Sequence, residues 1–359
     1  MRENNKVSKR LRHQQKQIPG KTNSLSTNFP QEVPSLLDVM KEGHEYESIL
    51  PYTPPGGQLV PDLKRAILEI ESIRQRPLVC YVANVIKGLP GINIDFSDDL
   101  PFNEAISKIP DNIKSLDILV VTPGGLGQQV AQFVNALRPR FDSVEFILPF
   151  MCMSAGTLWV LSGDKIWMDS RAYIGPIDPQ VPSKSGDSLP AQSILILLEK
   201  IRAEGEEALR KGVPPPWHLI RLLDTMDQRQ VGGAISASEY SIKLASNFLE
   251  NYKFKNWIVH NSSGQTVTDS DRKARALEVA TRLCDNSYWK SHGHGINREI
   301  ADKELRLVID HLESDQNFHK AIRRIWALFY YTLERTFLTK VLISSNYTLV
   351  RQINSNPQQ

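Results

Sequence analysis

Short strand-type runs alternate with helix-type segments between residues 78 and 168, and this alternation limits the possible folds most strongly. The strand-type runs, rich in β-branched and aromatic residues, are residues 78–83 (LVCYVA), 116–121 (LDILVV), 144–148 (VEFIL) and 164–168 (DKIWM). Segments with helical spacing lie between them at residues 102–109, 130–137 and 155–161. Repeated strand–helix–strand units of this length require right-handed crossovers, so they predict an α/β fold around a largely parallel sheet.

Helix-type spacing also flanks this region on both sides. The flanking segments are residues 63–74, 193–210, 238–250, 271–284 and 317–343. The last is rich in aromatic residues but carries charges at Lys320, Arg323 and Arg324. We therefore expect it to pack on the domain or on a subunit partner rather than to enter a membrane.

The turn Thr122-Pro123-Gly124-Gly125 follows the second strand-type run and precedes a helix-type segment. A glycine pair allows positive φ angles and lets the backbone aim free N–H groups outward. Such donors can stabilise a developing negative charge. Taken alone, the turn fits a tight connection without function equally well.

A second turn, residues 151–157 (MCMSAGT), follows the next strand-type run. Ser154 lies at the strand-to-helix junction, where a serine hydroxyl can project from the edge of a sheet. A helix N-cap is the alternative role for this serine. Cys152 is a rival nucleophile, but we expect a buried structural thiol there. Because both turns end successive strands, they are expected to meet at one edge of the sheet.

Composition indicates an ordinary globular protein, with 359 residues, 41% hydrophobic and 23% charged. The net charge of +3 does not by itself indicate a nucleic-acid binder. Positive charge is concentrated in residues 1–21, which hold almost no apolar residues, so a disordered basic tail is predicted there. Contact of this tail with an anionic membrane or a nucleic acid is a weak alternative to a solvated tail.

No secretory signal and no transmembrane span are predicted, because the basic start is not followed by a long apolar stretch. Cys80, Cys152 and Cys284 are far apart and lack metal-binding spacing. This cysteine usage is typical of free thiols in a reducing cytoplasm.

The sequence resembles the Clp protease/crotonase superfamily in four motifs, which occur in the order Thr122-Pro123-Gly124-Gly125, Ser154-Ala155-Gly156, Asp164-Lys165-Ile166 and residues 173–180 (YIGPIDPQ). It is more closely similar to the bacterial serine dehydrogenase proteinases, which are related to signal peptide peptidase A. The resemblance implies an α/β Clp protease/crotonase-like ββα spiral fold with a helical C-terminal extension.

The resemblance also implies site residues. Ser154 would attack the scissile carbonyl, and the backbone N–H groups of Gly125 and Ala155 would form the oxyanion hole. Gly124 and Asp178 are possible supporting residues. Asp178 would orient the base or a substrate amide, and a turn-forming aspartate before proline is the alternative.

The general base is left open. Clp proteases place a histidine where this chain has Ile174-Gly175-Pro176. Signal peptide peptidases instead use a lysine on a later helix, which implies Lys200. A solvent-exposed partner of nearby glutamates is the alternative role for Lys200. Lys184 and a histidine of the late loop at residues 291–296 (SHGHGI) are the other candidates.

The late loop does not indicate a metal site, because its His292-Gly293-His294 pattern has no third ligand at suitable spacing. We therefore expect no metal and no other cofactor.

Five segments are expected along the chain. They are a disordered basic tail at 1–35, a connecting helical segment at 36–75, a catalytic core at 76–212, a helical C-terminal region at 213–345 that packs on the core or forms an oligomer interface, and a flexible tail at 346–359.

The predicted function is that of a cytoplasmic, ATP-independent serine peptidase. It would cleave peptides or unfolded proteins through an acyl-enzyme on Ser154, with a lysine base, as a homo-oligomer. A crotonase-type acyl-CoA enzyme is one alternative, since it uses the same oxyanion geometry. A catalytically degenerate Clp-like scaffold is the other, because the expected histidine is missing.

Overall fold

Strands from both halves of the chain form one central sheet. The computed structural model describes residues 35–52, 59–182, 188–260 and 263–353, which belong to one compact unit, Ser35–Gln359. The predicted basic tail lies outside the described residues except for residue 35, and so does Lys184. The strands are β1 Leu78–Ala83, β2 Ser115–Val121, β3 Ser143–Leu148, β4 Met151–Cys152, β5 Lys165–Met168, β6 Tyr173–Ile174, β7 Gln180–Pro182, β8 Ser188–Pro190, β9 Asp310–His311, β10 Leu338–Ser344 and β11 Thr348–Gln352.

The main sheet has the strand order β11-β10-β1-β2-β3-β5-β9. Strands β1, β2, β3, β5 and β9 are parallel, whereas β10 pairs antiparallel with β1, and β11 pairs antiparallel with β10. Two short pairs, β4 with β6 and β7 with β8, lie outside this sheet. The four predicted strands and the mixed α/β class are confirmed.

Helices cover the sheet. They are α1 Leu36–Val39, α2 Glu45–Ile49, α3 Leu59–Arg74, α4 Asp99–Ser107, α5 Gly127–Leu137, α6 Ala155–Val160, α7 Ala191–Arg210, α8 Trp217–Thr225, α9 Gln228–Phe248, α10 Asp269–Cys284, α11 Asn286–Trp289, α12 Arg298–Leu305 and α13 Gln316–Arg335. Within the ranges given above, no helix combines the length and the hydropathy needed to cross a bilayer.

Both faces of the sheet are buried, which explains why β1 and residues 118–121 of β2 are continuous apolar runs rather than alternating ones. Val79 and Tyr81 of β1 face a core shared with α4, α5 and α6, where Tyr81 packs edge-on against Trp159 at 5.5 Å between ring centroids. Leu78, Cys80 and Val82 of β1 face a second core shared with α3 and α13. The sheet is therefore a two-sided scaffold, and its functional groups are found where strands end.

The C-terminal region differs from expectation. The segment predicted as one helix, residues 317–343, is helical only as far as Arg335 and then forms β10. Residues 338–343 (LTKVLI) are mostly β-branched or apolar, and five residue pairs place β10 beside β1. Apolar spacing alone missed this change because the partner strand is more than 200 residues away in sequence.

The flexible tail predicted at residues 346–359 is also wrong in its first half, because Thr348–Gln352 forms the edge strand β11. The chain region predicted as helical, residues 213–345, is largely helical but also contributes β9 and β10 to the sheet. Helix α3, within the predicted connecting segment, buries Leu63, Ile67 and Ile70 against the second core. Residues far outside the predicted core thus complete the central sheet and its cover.

A buried ion cluster connects β10 to the loop before α4. Lys340 of β10 is 4% exposed, and its Nζ donates to both carboxylate oxygens of Asp98 at 2.8 and 2.9 Å and to the carbonyl oxygen of Asn93 at 2.8 Å. Tyr81 OH donates to Asp98 Oδ2 at 2.9 Å, and its burial, together with the Asp98 carboxylate, raises the pKa of Tyr81. Removing one partner of such a cluster leaves an uncompensated buried charge.

We expect Lys340→Met to lower the free energy of unfolding by about 3 kcal/mol, because it removes the buried cation and leaves the Asp98 carboxylate with only the partly exposed Arg351 at 3.2 Å. Urea denaturation followed by circular dichroism measures this change. Lys211→Met is the control, since Lys211 is 66% exposed beside Glu207 and little change is expected there. Equal stability of the Lys340 variant and the wild type would contradict a stabilising role of the cluster.

Candidate active site

The two turns singled out in the sequence meet at one edge of the sheet. Strands β2 and β3 are parallel neighbours. Beyond their ends, Thr122 and Cys152 form an isolated bridge that is also parallel. Thr122 N donates to Met151 O at 3.1 Å, and Met153 N donates to Thr122 O at 3.0 Å. A Cβ atom on Gly124 would lie 2.7 Å from the Cβ of Ser154. The predicted meeting of the turns is confirmed.

Ser154 has a backbone conformation that few residues with a side chain adopt, with φ 52° and ψ −117°. It is half-buried, immediately before α6, and its hydroxyl makes no N-cap hydrogen bond. No described residue forms a hydrogen bond with this hydroxyl. Backbone strain of this kind persists where the surroundings impose it, and serine nucleophiles are held on such sharp strand-to-helix turns.

Positions 124 and 125 need glycine, because the neighbouring backbone leaves no space for a side chain. Gly124 and Gly125 have φ angles of 107° and 145°. Ile94 N donates to Gly124 O at 2.8 Å, Leu126 N donates to Ile94 O at 2.9 Å, and a Cβ atom on Gly125 would overlap the Ile94 carbonyl oxygen. The backbone of Ile94 thereby fixes the Gly125 turn.

Two backbone donors remain free beside Ser154. In the described part of the chain, no acceptor takes the N–H of Gly125 or the N–H of Ala155. Gly125 is exposed, whereas Ala155 is buried at the start of α6. Free N–H groups on both sides of a serine are the arrangement that can hold an oxyanion, provided that they point to the same place.

Cys152, the rival nucleophile, is fully buried. Its burial raises the pKa of the thiol well above the ordinary value for cysteine. A Cβ atom on Gly156 would lie 2.8 Å from its sulfur, so the thiol fills space beneath α6. The predicted structural role of Cys152 fits this position, because a thiol is reactive as the thiolate.

Lys200, the base implied by the resemblance, lies on the solvent side of α7. Its side chain is 72% exposed, and Nζ lies 4.0 Å from Glu204 Oε1, one turn further along the helix. A lysine becomes a base when its ammonium is desolvated. Within one chain the structure gives Lys200 the position of an ordinary surface ion pair.

Asp178 contacts His292, which lies 114 positions later in the chain. Asp178 is fully buried, and its Oδ1 lies 2.8 Å from Nδ1 of His292. Its Oδ2 accepts hydrogen bonds from Asn286 Nδ2 at 3.1 Å and from Gln180 Nε2 at 3.3 Å. The carboxylate therefore holds side chains from three segments, beyond the turn-forming role that its sequence context allowed.

The contact between Asp178 and His292 is explained by the pairing of β6 with the late loop. Ile174 and Ile296 form an antiparallel bridge, with N–H···O distances of 3.0 and 2.8 Å. Antiparallel pairing places residues the same number of steps from a bridge opposite each other, and Asp178 and His292 are each four residues from it. The two residues are 114 positions apart, so only this pairing could have selected His292 from the late loop.

One further group of side chains consists of residue types that can bind a metal ion. Asp169, Glu313 and His319 each offer an atom, and these atoms lie within 4.8 Å of one another. Asp169 already pairs with Arg171 and Glu313 with Arg298. Because both carboxylates have arginine partners, the group is explained as an ion-pair network.

Comparison with known proteins gives a family for this region. The model of the ClpP-like SDH-type serine proteinases matches residues 64–208. Two uncharacterized proteins of Methanocaldococcus jannaschii are 36% identical over 111 residues and 33% identical over 136 residues. These matches cover 31% and 36% of this chain and 37% and 44% of the relatives, so the chain spans less than half the length of the curated relatives it matches.

Solved structures with detectable likeness include a membrane-bound stomatin-specific protease. A lysine-to-alanine mutant in complex with a substrate peptide is 16% identical, with 66% of this chain and 74% of that chain covered and a TM-score of 0.37. A serine-to-alanine mutant is 22% identical, with 33% and 60% covered and a TM-score of 0.26.

The segment matched by the family model contains both turns, Ser154 and Asp178. It also contains the four parallel strands β1, β2, β3 and β5 that position them. Over residues 64–208 the chain is therefore similar to the ClpP-like SDH-type serine proteinases.

Proposed function

We propose that this protein is a serine peptidase that cleaves peptide bonds through an acyl-enzyme on Ser154. The observation that carries the proposal is the strained backbone of Ser154, with φ 52° and ψ −117°, next to the glycine turn at Gly124. An ordinary helix cap needs no such strain, whereas a nucleophile that must project its hydroxyl does.

The oxyanion hole is formed by the N–H groups of Gly125 and Ala155. Both donors belong to the backbone, and the Gly125 turn is fixed by the two hydrogen bonds with Ile94. Donors that are already in place cost no reorganisation when charge develops on the carbonyl oxygen, which is why such sites contribute strongly to catalysis.

The Ser–Lys dyad with Lys200 has weaker support. Its ammonium is in solvent beside Glu204, so acting as a base would require α7 to move or another copy of the chain to cover it. The dyad remains an alternative for the base alone, because the nucleophile and the oxyanion hole do not depend on it.

Peptides and unfolded protein segments are the proposed substrates, and no nucleotide is required. The exposure of Gly125 leaves the edge of the site accessible to an extended chain. The sequence contains no P-loop motif, in agreement with an ATP-independent reaction. A cytoplasmic location is part of the same proposal.

A homo-oligomer is also proposed, with α8 at the interface. Trp217 is 77% exposed, Ile220 49% and Leu223 47%, and their spacing places them along one side of the helix. Leu219 of the same helix is buried and anchors α8 to the rest of the chain. An apolar stripe of this kind supports burial against a second copy of the chain.

Ser154→Ala is expected to abolish covalent labelling by a fluorophosphonate probe, since the probe reacts with an activated serine hydroxyl. Intact mass spectrometry measures the adduct, and peptide mapping locates it. Ser170→Ala, which changes an exposed serine between β5 and β6, is the control and should be labelled like the wild type. A label that persists in Ser154→Ala would place the nucleophile elsewhere.

Gly125→Ala is expected to lower the labelling rate roughly 100-fold or more, because its Cβ displaces the oxyanion turn from Ile94. Gly127→Ala is the matched control, since a Cβ there meets Leu158 Cδ1 at an acceptable 3.4 Å. Labelling time courses for both variants provide the comparison. Equal rates in the two variants would remove the oxyanion role from Gly125.

Trp217→Glu is expected to shift the protein to smaller species in sedimentation velocity, because a carboxylate at the centre of an apolar interface is costly to bury. Arg221→Glu, on the same helix, controls for the charge change. A wild-type protein that sediments as a monomer at all concentrations tested would refute the interface.

A further inference from the structure

We propose that His292, positioned by Asp178, is the general base and acid that serves Ser154. The inference rests on the proposed function, because it assigns the proton-transfer group of the same site. It gives the chain a serine–histidine–aspartate arrangement whose histidine comes from the C-terminal region, outside the segment matched by the family model.

Strand β6 pairs on one side with the strand before Ser154 and on the other side with the loop that carries His292. β4, which leads directly into the Ser154 turn, pairs in parallel with β6 through Cys152 and Ile174. The same Ile174 pairs on its other side with Ile296 of the late loop. β6 therefore lies between the strand that ends at Ser154 and the loop that carries His292, and neighbouring strands lie only about 4.8 Å apart.

The segment after β6 is bonded directly to the Ser154 turn. Thr157 Oγ1 accepts a hydrogen bond from Gly175 N at 3.0 Å and donates to Cys152 O at 3.0 Å. A Cβ atom on Gly175 would overlap Cε of Met153 and lie 2.7 Å from its sulfur, so a side chain there would displace the end of the Met153 side chain. The late loop, which pairs with β6 at Ile174, is the next segment of backbone that can bring a base to the site.

Asp178 fixes the tautomer of the imidazole. A carboxylate only accepts hydrogen bonds, so Nδ1 of His292 carries the proton in the 2.8 Å contact. In the neutral ring, this tautomer leaves Nε2 as the nitrogen that can accept a proton, which is the form a general base needs. The side chain of His292 is 27% exposed, whereas Asp178 is fully buried, so the carboxylate is fixed and the ring remains accessible.

The other candidates have less suitable surroundings. Lys200 is 72% exposed and pairs with Glu204. The ring of His294, two residues after His292, packs on Trp289 with 5.2 Å between ring centroids. Among these three side chains, His292 alone contacts a buried carboxylate.

The reaction proceeds in two stages. Ser154 Oγ gives its proton to His292 Nε2 and bonds to the carbonyl carbon, while the carbonyl π electrons move to the oxygen held by Gly125 and Ala155. His292 then gives the proton to the amide nitrogen as the C–N bond breaks, leaving the acyl-enzyme ester. Water repeats the sequence: it gives a proton to His292, attacks the ester carbon, and Ser154 Oγ leaves with that proton.

The test compares labelling by fluorophosphonate and hydrolysis of fluorescein-labelled casein in four proteins: the wild type, His292→Gln, His294→Gln and Lys200→Ala. Glutamine at 292 keeps an N–H for Asp178 but takes up no proton at neutral pH. We expect His292→Gln to lower both rates about 10²- to 10⁴-fold. His294→Gln and Lys200→Ala should stay within a few fold of the wild type.

The outcomes separate this inference from the proposed function. Wild-type labelling at Ser154 with equal labelling of His292→Gln would overturn the role of His292 and leave the peptidase intact. If labelling is lost in Lys200→Ala alone, Lys200 rather than His292 is the general base for Ser154. Absence of any Ser154 label in the wild type would overturn the proposed function, and the inference with it.

Asp178→Asn tests the positioning role. Asparagine can donate to Nδ1 and so favours the tautomer with its proton on Nε2, which cannot act as a base. We expect kcat for casein to fall by about 10²-fold or more with little change in KM. Free imidazole should restore part of the activity of His292→Ala. If Asp178→Asn keeps its kcat and imidazole does not rescue His292→Ala, and both variants are folded, the contact between Asp178 and His292 has only a structural role.

Discussion

The candidate site depends on one rung of backbone pairing beyond the ends of β2 and β3. Thr122 N donates to Met151 O, and Met153 N donates to Thr122 O, so the glycine turn and the serine turn are held side by side by main-chain atoms alone. Parallel strands bring their carboxyl ends to the same edge of a sheet, and this rung extends that alignment into the loops. Only glycine fits at position 124, because any Cβ there would meet the Cβ of Ser154.

The rest of the chain supports this rung from both sides. The loop at Ile94 braces the Gly125 turn, and Lys340 holds that loop from a strand near the C-terminus through Asn93 and Asp98. On the other side, β6 pairs with the late loop that carries His292, and the segment after β6 carries Asp178. The C-terminal region therefore does more than cover the core: it supplies a strand of the sheet, a buried cation and the histidine beside Asp178.

The contrast between Lys200 and His292 shows how far local sequence can lead. The resemblance to signal peptide peptidases implied Lys200, but a helical residue faces the core or solvent according to its position around the helix, and on α7 this lysine lies beside Glu204. His292 has no local feature that distinguishes it from His294. The difference arises from antiparallel pairing at Ile174 and Ile296, which places one imidazole on a buried carboxylate and the other on Trp289.

The α/β class, the four parallel strands of the core and the two turns could be read from the sequence, because burial pattern, β-branching and glycine chemistry are local properties. Only the folded chain shows which distant segments complete the sheet, where β10 and β11 belong, and which titratable groups contact each other. These contacts join residues more than 100 positions apart, and their free energy comes from pairing and burial that exist only once the sheet has formed. Ser154 was therefore indicated by its own turn together with the neighbouring glycine turn, whereas His292 and Asp178 became a pair only through the fold.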